Sequence, residues 1–389
     1  MTRRLIYIIA GEPSGDLLAA RLMAALKACC DGDIAFAGIG GEAMREEGLD
    51  SLFPQADLAV MGLAEVLPRL PRIMRRLKQT MADILTRRPD AIVTVDSWGF
   101  NGRIAKKLKA LGVNRPRIHY VAPMVWAWKE KRVHQLARSV HLLLCLLPNE
   151  PPHFQRVGLN AVHVGHSILE SGADRGDGAG FRARHGIAET QPLLSVLPGS
   201  RHLETSRLLP VFRQTVARLA ELRPGFAVVM PTVETVADEV ARAVADWPVP
   251  VTIVKGAAER YDAFAASQAA LAASGTVALE LALARLPMVI AYRVAPATAF
   301  LLRRLVKIPY ASLLNLVMNR AVVPEFLQDD CRPEALATAL IRLLDGEAER
   351  EAQLSGAAEA LKRLGRGDES PSHRAASEIL KLMEDWETQ

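Results

Sequence analysis

The sequence predicts an α/β protein made of two βα domains in tandem, each built on its own parallel sheet. Two observations carry that reading. Short, continuous apolar runs of strand length alternate with longer helical segments, as expected of parallel strands buried on both faces. The alternation also occurs twice, on either side of a stretch at 168–192 rich in Gly, Asp, Arg and Ala, and 389 residues suit two or three domains of about 150.

Taken in order, the first half offers strands at Leu5–Ala10, Ile34–Ile39, Ala91–Val95, Ile118–Val121 and His141–Leu147. Ala91–Val95 (AIVTV) shows the pattern best: a β-branched run with no polar face. Helices are expected between them, near 15–28, 71–87, 100–111 and 128–138, with Pro68 and Pro71 delaying the second of these to about residue 71. The second half repeats the scheme. Strands are expected at Leu193–Leu197, Ala227–Met230, Val251–Val254, Ala269–Ala272 and Met288–Tyr292, and helices near 203–221, 234–245, 276–284 and 297–305. The expected domains are 1–167 and 168–365, with a charged helix at 366–389 placed to pack back on the first.

Composition narrows the class. Half the residues are apolar and 23% are charged, which excludes a disordered chain, a collagen-like fibre and a small disulfide scaffold. The four cysteines (Cys29, Cys30, Cys145 and Cys331) show no C-x-x-C spacing, so reduced thiols are expected and a zinc site is not. No His/Cys cluster suggests another metal, and no cofactor is expected. The opening MTRRLIYIIAGEPSGD reads as a first strand rather than a signal peptide, because its apolar run is short and meets Glu12 and Asp16. No run is apolar enough to expect a membrane span. Residues 1–167 hold 23 Lys and Arg against 15 Asp and Glu, whereas the remainder is slightly acidic. That asymmetry points the first half at something anionic: nucleic acid, phospholipid or a phosphorylated substrate.

Three strand–turn–helix junctions carry small residues where a phosphate could approach backbone: Ala10–Asp16 (AGEPSGD), Leu197–Arg201 (LPGSR) and Ala273–Thr276 (ASGT). Strand carboxyl ends and helix N-termini form the ligand edge of a parallel sheet, where unpaired N–H groups favour anions. Gly and Ser are also ordinary turn residues, so the argument rests on three such turns in one chain, one of them beside Arg201. Arg201 has the forked geometry for a diphosphate. Glu280, one turn into its helix, could accept both hydroxyls of a ribose, or be a solvated helix carboxylate.

These blocks, with GIGGEAM (38–44), VMGLAEVL (60–67), HYVAPMVWAWKEKRV (119–133), VGHS (164–167), MVIAYR (288–293) and SLLNL (312–316), closely resemble the lipid-A-disaccharide synthase family in order and over nearly the whole chain. The resemblance implies a GT-B architecture, two Rossmann-like domains with parallel sheets facing across a cleft. It implies inverting transfer from UDP-2,3-diacylglucosamine to 2,3-diacylglucosamine 1-phosphate, with UDP released. It also implies a cytoplasmic enzyme held peripherally on the inner membrane.

Inverting transfer needs a base for the acceptor hydroxyl and positive charge or aligned N–H groups for the leaving diphosphate. Asp96, at the end of AIVTVD, is the expected base, its apolar run favouring a raised pKa; helix capping is the bland alternative. The family usually continues with Pro-acidic-Phe, whereas this chain reads Ser97-Trp98-Gly99-Phe100, which alters the acceptor surroundings. Glu12, Ser14, Gly15, Asp16 and His119 are expected at the acceptor, and Gly199, Ser200, Arg201, Ser274, Gly275, Thr276, Glu280 and Asn315 at UDP. His166 adjoins these blocks, and a lone histidine is more often structural.

Residues 63–81 space Leu63, Leu67, Leu70, Met74, Leu77 and Met81 along one stripe among Arg69, Arg72, Arg75, Arg76 and Lys78, and 101–117 add Arg103, Lys106, Lys107, Lys109, Arg115 and Arg117. The bland reading is a sheet-packing helix with solvated arginines. The sharper one is docking on anionic lipid, with Trp98, Trp126 and Trp128 near the interface. Nucleic acid is not expected, since no aromatic cluster or known module accompanies the basic half. The rival enzyme reading is another UDP-N-acetylhexosamine protein of the same architecture, a 2-epimerase or a peptidoglycan glycosyltransferase.

Overall fold

The computed structural model describes residues 4–58, 63–123, 131–295 and 310–388. The chain divides into two compact units, Met1–Ser167 with Leu364–Gln389, and Ile168–Arg363. The first unit holds six parallel strands: β1 (Arg4–Ala10), β2 (Ile34–Ile39), β3 (Ala91–Val95), β4 (Arg117–Tyr120), β5 (Leu142–Cys145) and β6 (Asn160–His163). They lie in the order β2-β1-β3-β4-β5-β6.

Strand β1 shows why the run RLIYIIA has no polar face. Ile6 and Ile8 pack with Leu18, Leu22 and Leu26 of helix Pro13–Cys29, while Tyr7 and Ile9 pack on the other side with Ile73, Leu77 and Ile84 of helix Leu63–Arg87. Successive side chains point to opposite faces, so both layers demand apolar residues. The long helix begins at Leu63, not near residue 71. An interior proline costs roughly 3 kcal/mol. Burial of Ile73, Leu77, Met81 and Ile84, each contributing about 1.5–3 kcal/mol, offsets the two interior prolines, Pro68 and Pro71.

Helix Pro371–Glu387 completes the first unit, with Ala375, Ala376, Ile379 and Met383 entering the same core as Leu18 and Leu22. Arg374 clasps its entry: Nε donates to the Val164 carbonyl at 2.7 Å, Nη2 to Gly365 at 2.8 Å and Nη1 to Glu369 at 2.9 Å. Gly165 sits at φ 98°, and a Cβ there would collide with that guanidinium.

The second unit holds β7 (Leu193–Leu197), β8 (Ala227–Thr232), β9 (Val251–Lys255), β10 (Ala269–Ala273), β11 (Met288–Tyr292) and β12 (Glu325–Leu327). Their order is β12-β11-β10-β7-β8-β9, again all parallel. Its main core joins Val196, Val228, Leu271 and Val289 to Leu208 and Phe212 of helix His202–Leu222 and Leu336 and Leu340 of helix Pro333–Asp345. Strands β6 and β12 were not expected: both are short, at a sheet edge and half-exposed, so neither makes an apolar run. The expected helix at 297–305 lies outside the described residues.

Asn315, expected at UDP, is held by hydrogen bonds within its own unit. Buried on helix Leu313–Met318, its Nδ2 donates to the Val323 carbonyl at 2.8 Å and to Glu325 Oε1 at 2.7 Å. Its Oδ1 accepts from the amides of Val322 at 2.6 Å and Val323 at 2.9 Å. Two donors and two lone pairs are thus all spent on the chain leading into β12. Asn315→Ala strands these buried groups, which cost about 1–3 kcal/mol each. It should lower the free energy of unfolding by roughly 2–3 kcal/mol in chemical denaturation, while the folded fraction keeps its nucleotide affinity.

Candidate functional site

In each sheet the topology reverses at one point. The chain runs from β1 outward to β2 and returns on the other side of β1 at β3; in the second unit the same reversal separates β7 from β10. Such switch points leave a crevice at the carboxyl ends of the strands, where ligands of open α/β sheets bind. All three glycine turns follow strands at these points, as does Asp96.

At the first switch point the turns after β1 and β3 touch, with Ser97 Oγ donating to Glu12 Oε1 at 2.7 Å. Asp96 and Ser97 both have left-handed backbone, φ 52° and 41°. Each such residue costs roughly 1–3 kcal/mol and persists only where neighbours over-determine it. Those neighbours are evident. The Asp96 amide donates to the Tyr120 carbonyl at 2.9 Å, the Ser97 amide to Asp96 Oδ1 at 2.7 Å, and Asn101 Nδ2 to the carbonyls of Val95 and Asp96 at 3.0 and 2.9 Å. The Asp96 carboxyl is half-buried, and burial pushes its pKa above the usual 3.8, with Glu12 pushing the same way and the Ser97 amide opposing. A carboxylate so raised is better matched to accepting a proton.

The other expected first-unit residues divide. Ser14 is exposed on the first turn of helix Pro13–Cys29, next to buried Gly15. Asp16 is already engaged by backbone. Buried, it accepts from the amides of Gly41 at 2.7 Å, Ala43 at 3.0 Å and Met44 at 3.3 Å, so it caps helix Glu42–Glu46. His119 is fully buried against Trp98 at 4.7 Å, its Nδ1 within 2.9 Å of Thr94 Oγ1 and its Nε2 without a partner. Burial lowers its pKa to about 3, so it supplies no positive charge. His166 is likewise lowered to about 4 by burial. Gln55 is a residue the sequence did not single out: its Nε2 holds the carbonyls of Ala10 at 3.0 Å and Glu12 at 3.1 Å, fixing the turn from a distant loop. An Asp-x-Asp triplet, Asp31–Asp33, escaped the sequence reading, but it precedes β2, at the opposite end of the strands from Asp96.

At the second switch point a cavity of about 410 Å³ is lined by Gly199, Ser200, Arg201, Ser274, Gly275, Thr276 and Glu280 together. Gly199 has φ 115°, and a Cβ there would press on Glu204, whose Oε2 accepts from the Ser200 amide at 3.0 Å. Arg201 reaches Glu204 Oε1 at 3.2 Å yet stays 63% exposed, free to turn toward an anion. Glu280 Oε1 accepts from Arg260 Nη2 at 3.0 Å and Tyr261 Oη at 3.3 Å. Its pKa is raised by burial, which Arg260 and Tyr261 oppose. Thr232 and Arg260 also line this cavity, and nothing in the sequence marked them. A larger hollow of about 970 Å³ runs beside β12 and shares no residue with it, so size alone does not locate the site. No group of three His, Cys, Asp or Glu among the described residues has metal-binding geometry.

Comparison with known proteins sets this geometry in a family. A family model described as lipid-A-disaccharide synthetase matches residues 6–380. A lipid-A-disaccharide synthase of Paramagnetospirillum magneticum is 60% identical over 381 residues, covering 97% of this chain and 97% of that protein. One from Rhodospirillum centenum is 53% identical over 379 residues, covering 97% and 94%. Among solved structures, Staphylococcus aureus MnaA with UDP aligns at TM-score 0.66 and 13% identity, over 98% of this chain and 97% of that one. A UDP-GlcNAc 2-epimerase of Methanocaldococcus jannaschii aligns at 0.60 and 12%, over 97% and 99%, and Acinetobacter baumannii MurG at 0.56 and 15%, over the same shares. Such low identities show the fold alone, the GT-B arrangement of two parallel α/β units that the rival readings share. The high-identity matches decide between them: the chain belongs to the lipid-A-disaccharide synthase family of glycosyltransferases.

Proposed function

We propose that this chain joins the sugar of UDP-2,3-diacylglucosamine to the 6-hydroxyl of 2,3-diacylglucosamine 1-phosphate, inverting the anomeric carbon. The observation that carries the residue-level reading is Asp96, a carboxylate of raised pKa at the switch point of the first sheet. As base, it takes the acceptor hydroxyl proton while that oxygen bonds to C1 of the donor sugar. The C1–oxygen bond to the diphosphate breaks, and its electron pair leaves with UDP. Arg201 and the amides of the Gly199–Arg201 and Ser274–Thr276 turns receive that charge. Glu280 accepts from the ribose hydroxyls. Ser14 and Glu12 border the acceptor, Glu12 by tuning Asp96. The substrates' acyl chains favour work at an anionic membrane surface. No helix among the described residues is long and apolar enough to cross a membrane.

The contact with lipid falls to residues 70–78 of helix Leu63–Arg87. Leu77 and Met81 of the expected stripe are core residues, whereas Leu70 and Met74 are each 38% exposed beside exposed Arg72, Arg75 and Lys78. Arg76 is otherwise engaged, with Asp57 and over the Phe53 ring at 4.5 Å. Arg117 leaves the basic surface altogether: it is buried and donates to the carbonyls of Ser139 and Val113. Trp126 and Trp128 lie outside the described residues.

Asp96→Asn keeps the turn's size and should lower kcat about 10²–10⁴-fold without changing the melting temperature; full activity in the variant would remove Asp96 as base. A base works deprotonated, so kcat/KM falls as pH drops through its pKa, and the raised pKa puts that acid limb above the usual aspartate range. Glu12→Gln removes the repulsive charge, so the limb should move to lower pH in a pH–rate profile. In vesicle sedimentation at low salt, the protein should bind anionic but not neutral lipid, and Leu70→Ser with Met74→Ser should weaken binding severalfold.

A further inference from the structure

We propose that Arg260 and Tyr261 are positioning residues for the donor nucleotide, tying up one oxygen of Glu280 so that the other is presented to a vicinal diol. This rests on the reading of the cavity at the second switch point as the donor site.

Three side chains form a closed set of contacts. Arg260 Nη2 and the Tyr261 hydroxyl both donate to Glu280 Oε1, at 3.0 and 3.3 Å. Arg260 Nη2 also lies 3.3 Å from the Tyr261 oxygen, with its guanidinium carbon 5.0 Å from the centre of the Tyr261 ring. Both bonds therefore converge on one carboxylate oxygen and leave Oε2 to whatever enters the cavity that Glu280 and Arg260 line.

The arrangement is not an ordinary surface ion pair, whose worth is small and screened by water. Glu280 is only 13% exposed and Arg260 28%. Among the described residues the guanidinium's hydrogen bonds go to Tyr261 and Glu280 alone, and its buried Nε has no partner. Arg260 thus ties down no loop or strand; what it holds is Glu280. Helix Val277–Leu283, which carries Glu280, is short, and an unheld glutamate there would spread over several rotamers. Fixing it beforehand removes an entropic cost from ligand binding. The same contact favours the ionised carboxylate that burial disfavours, and an ionised group is the stronger acceptor for two hydroxyls.

The 2′-hydroxyl is the readout, because a merely structural role would weaken every nucleotide equally. Titration calorimetry compares UDP with 2′-deoxy-UDP on the wild type, Arg260→Met, Tyr261→Phe and Arg260→Lys, with ligand-free melting temperatures confirming that each variant folds. The wild type should prefer UDP by about tenfold, the ratio expected for one hydrogen bond to a charged acceptor. Arg260→Met should reduce that preference to about twofold, Tyr261→Phe should narrow it less, and Arg260→Lys should restore part of it. A wild type that binds both nucleotides alike would overturn the donor-site reading itself. A selective wild type whose Arg260→Met variant stays equally selective would overturn the positioning role alone.

Discussion

Within each sheet every strand runs parallel to its neighbours, and the rest of each unit follows from that constraint. Parallel strands must be joined by crossovers, so helices cover both faces of each sheet and the inner strands, such as β1 and β3, are apolar on both sides. All strand-to-helix turns then gather at one edge of each sheet, with the helices' unpaired N–H groups behind them. Polar chemistry is confined to that edge because the interior leaves it nowhere else. Asp96 and Glu280, one in each unit, occupy equivalent places: each belongs to the turn or helix that follows a strand beside a switch point.

That edge was the legible part of the sequence. The runs Leu5–Ala10 and Ala91–Val95 announce themselves as two-faced strands, and a Gly-bearing turn directly after such a run has one structural address. What could not be read is which polar atoms are already spent. Asp16 and Glu12 sit four residues apart in one motif, yet Asp16 is consumed by three backbone amides and Glu12 reaches the turn after β3. Asn315 stands in a distinctive block and is wholly committed to the chain before β12. Gln55 and Arg260 carry no local signal because their partners are distant in sequence and adjacent only after folding. The edge strands β6 and β12 escaped for a related reason: half-exposed strands of three or four residues lack the run that marks a buried one.

Burial acts on the carboxylates of the two sites in the same direction and is answered differently. At Asp96 a second carboxylate adds to the upward push, which suits a group that must take a proton. At Glu280 an arginine and a phenol oppose it, which suits a group that must stay charged and accept hydrogen bonds. Environment, rather than residue type, separates the proposed base from the proposed ligand anchor.

The clasp formed by Arg374 carries a consequence for how the chain is made. Helix Pro371–Glu387 covers Leu18, Leu22 and neighbouring residues of the first unit, yet it is encoded after the whole of the second. At 5–20 residues per second, roughly ten seconds or more of translation separate the first sheet from its last covering helix. During that interval an apolar face stands open at the ribosome while the second unit emerges. Early folding of the first unit therefore leaves an unfinished apolar surface until helix Pro371–Glu387 emerges to cover it.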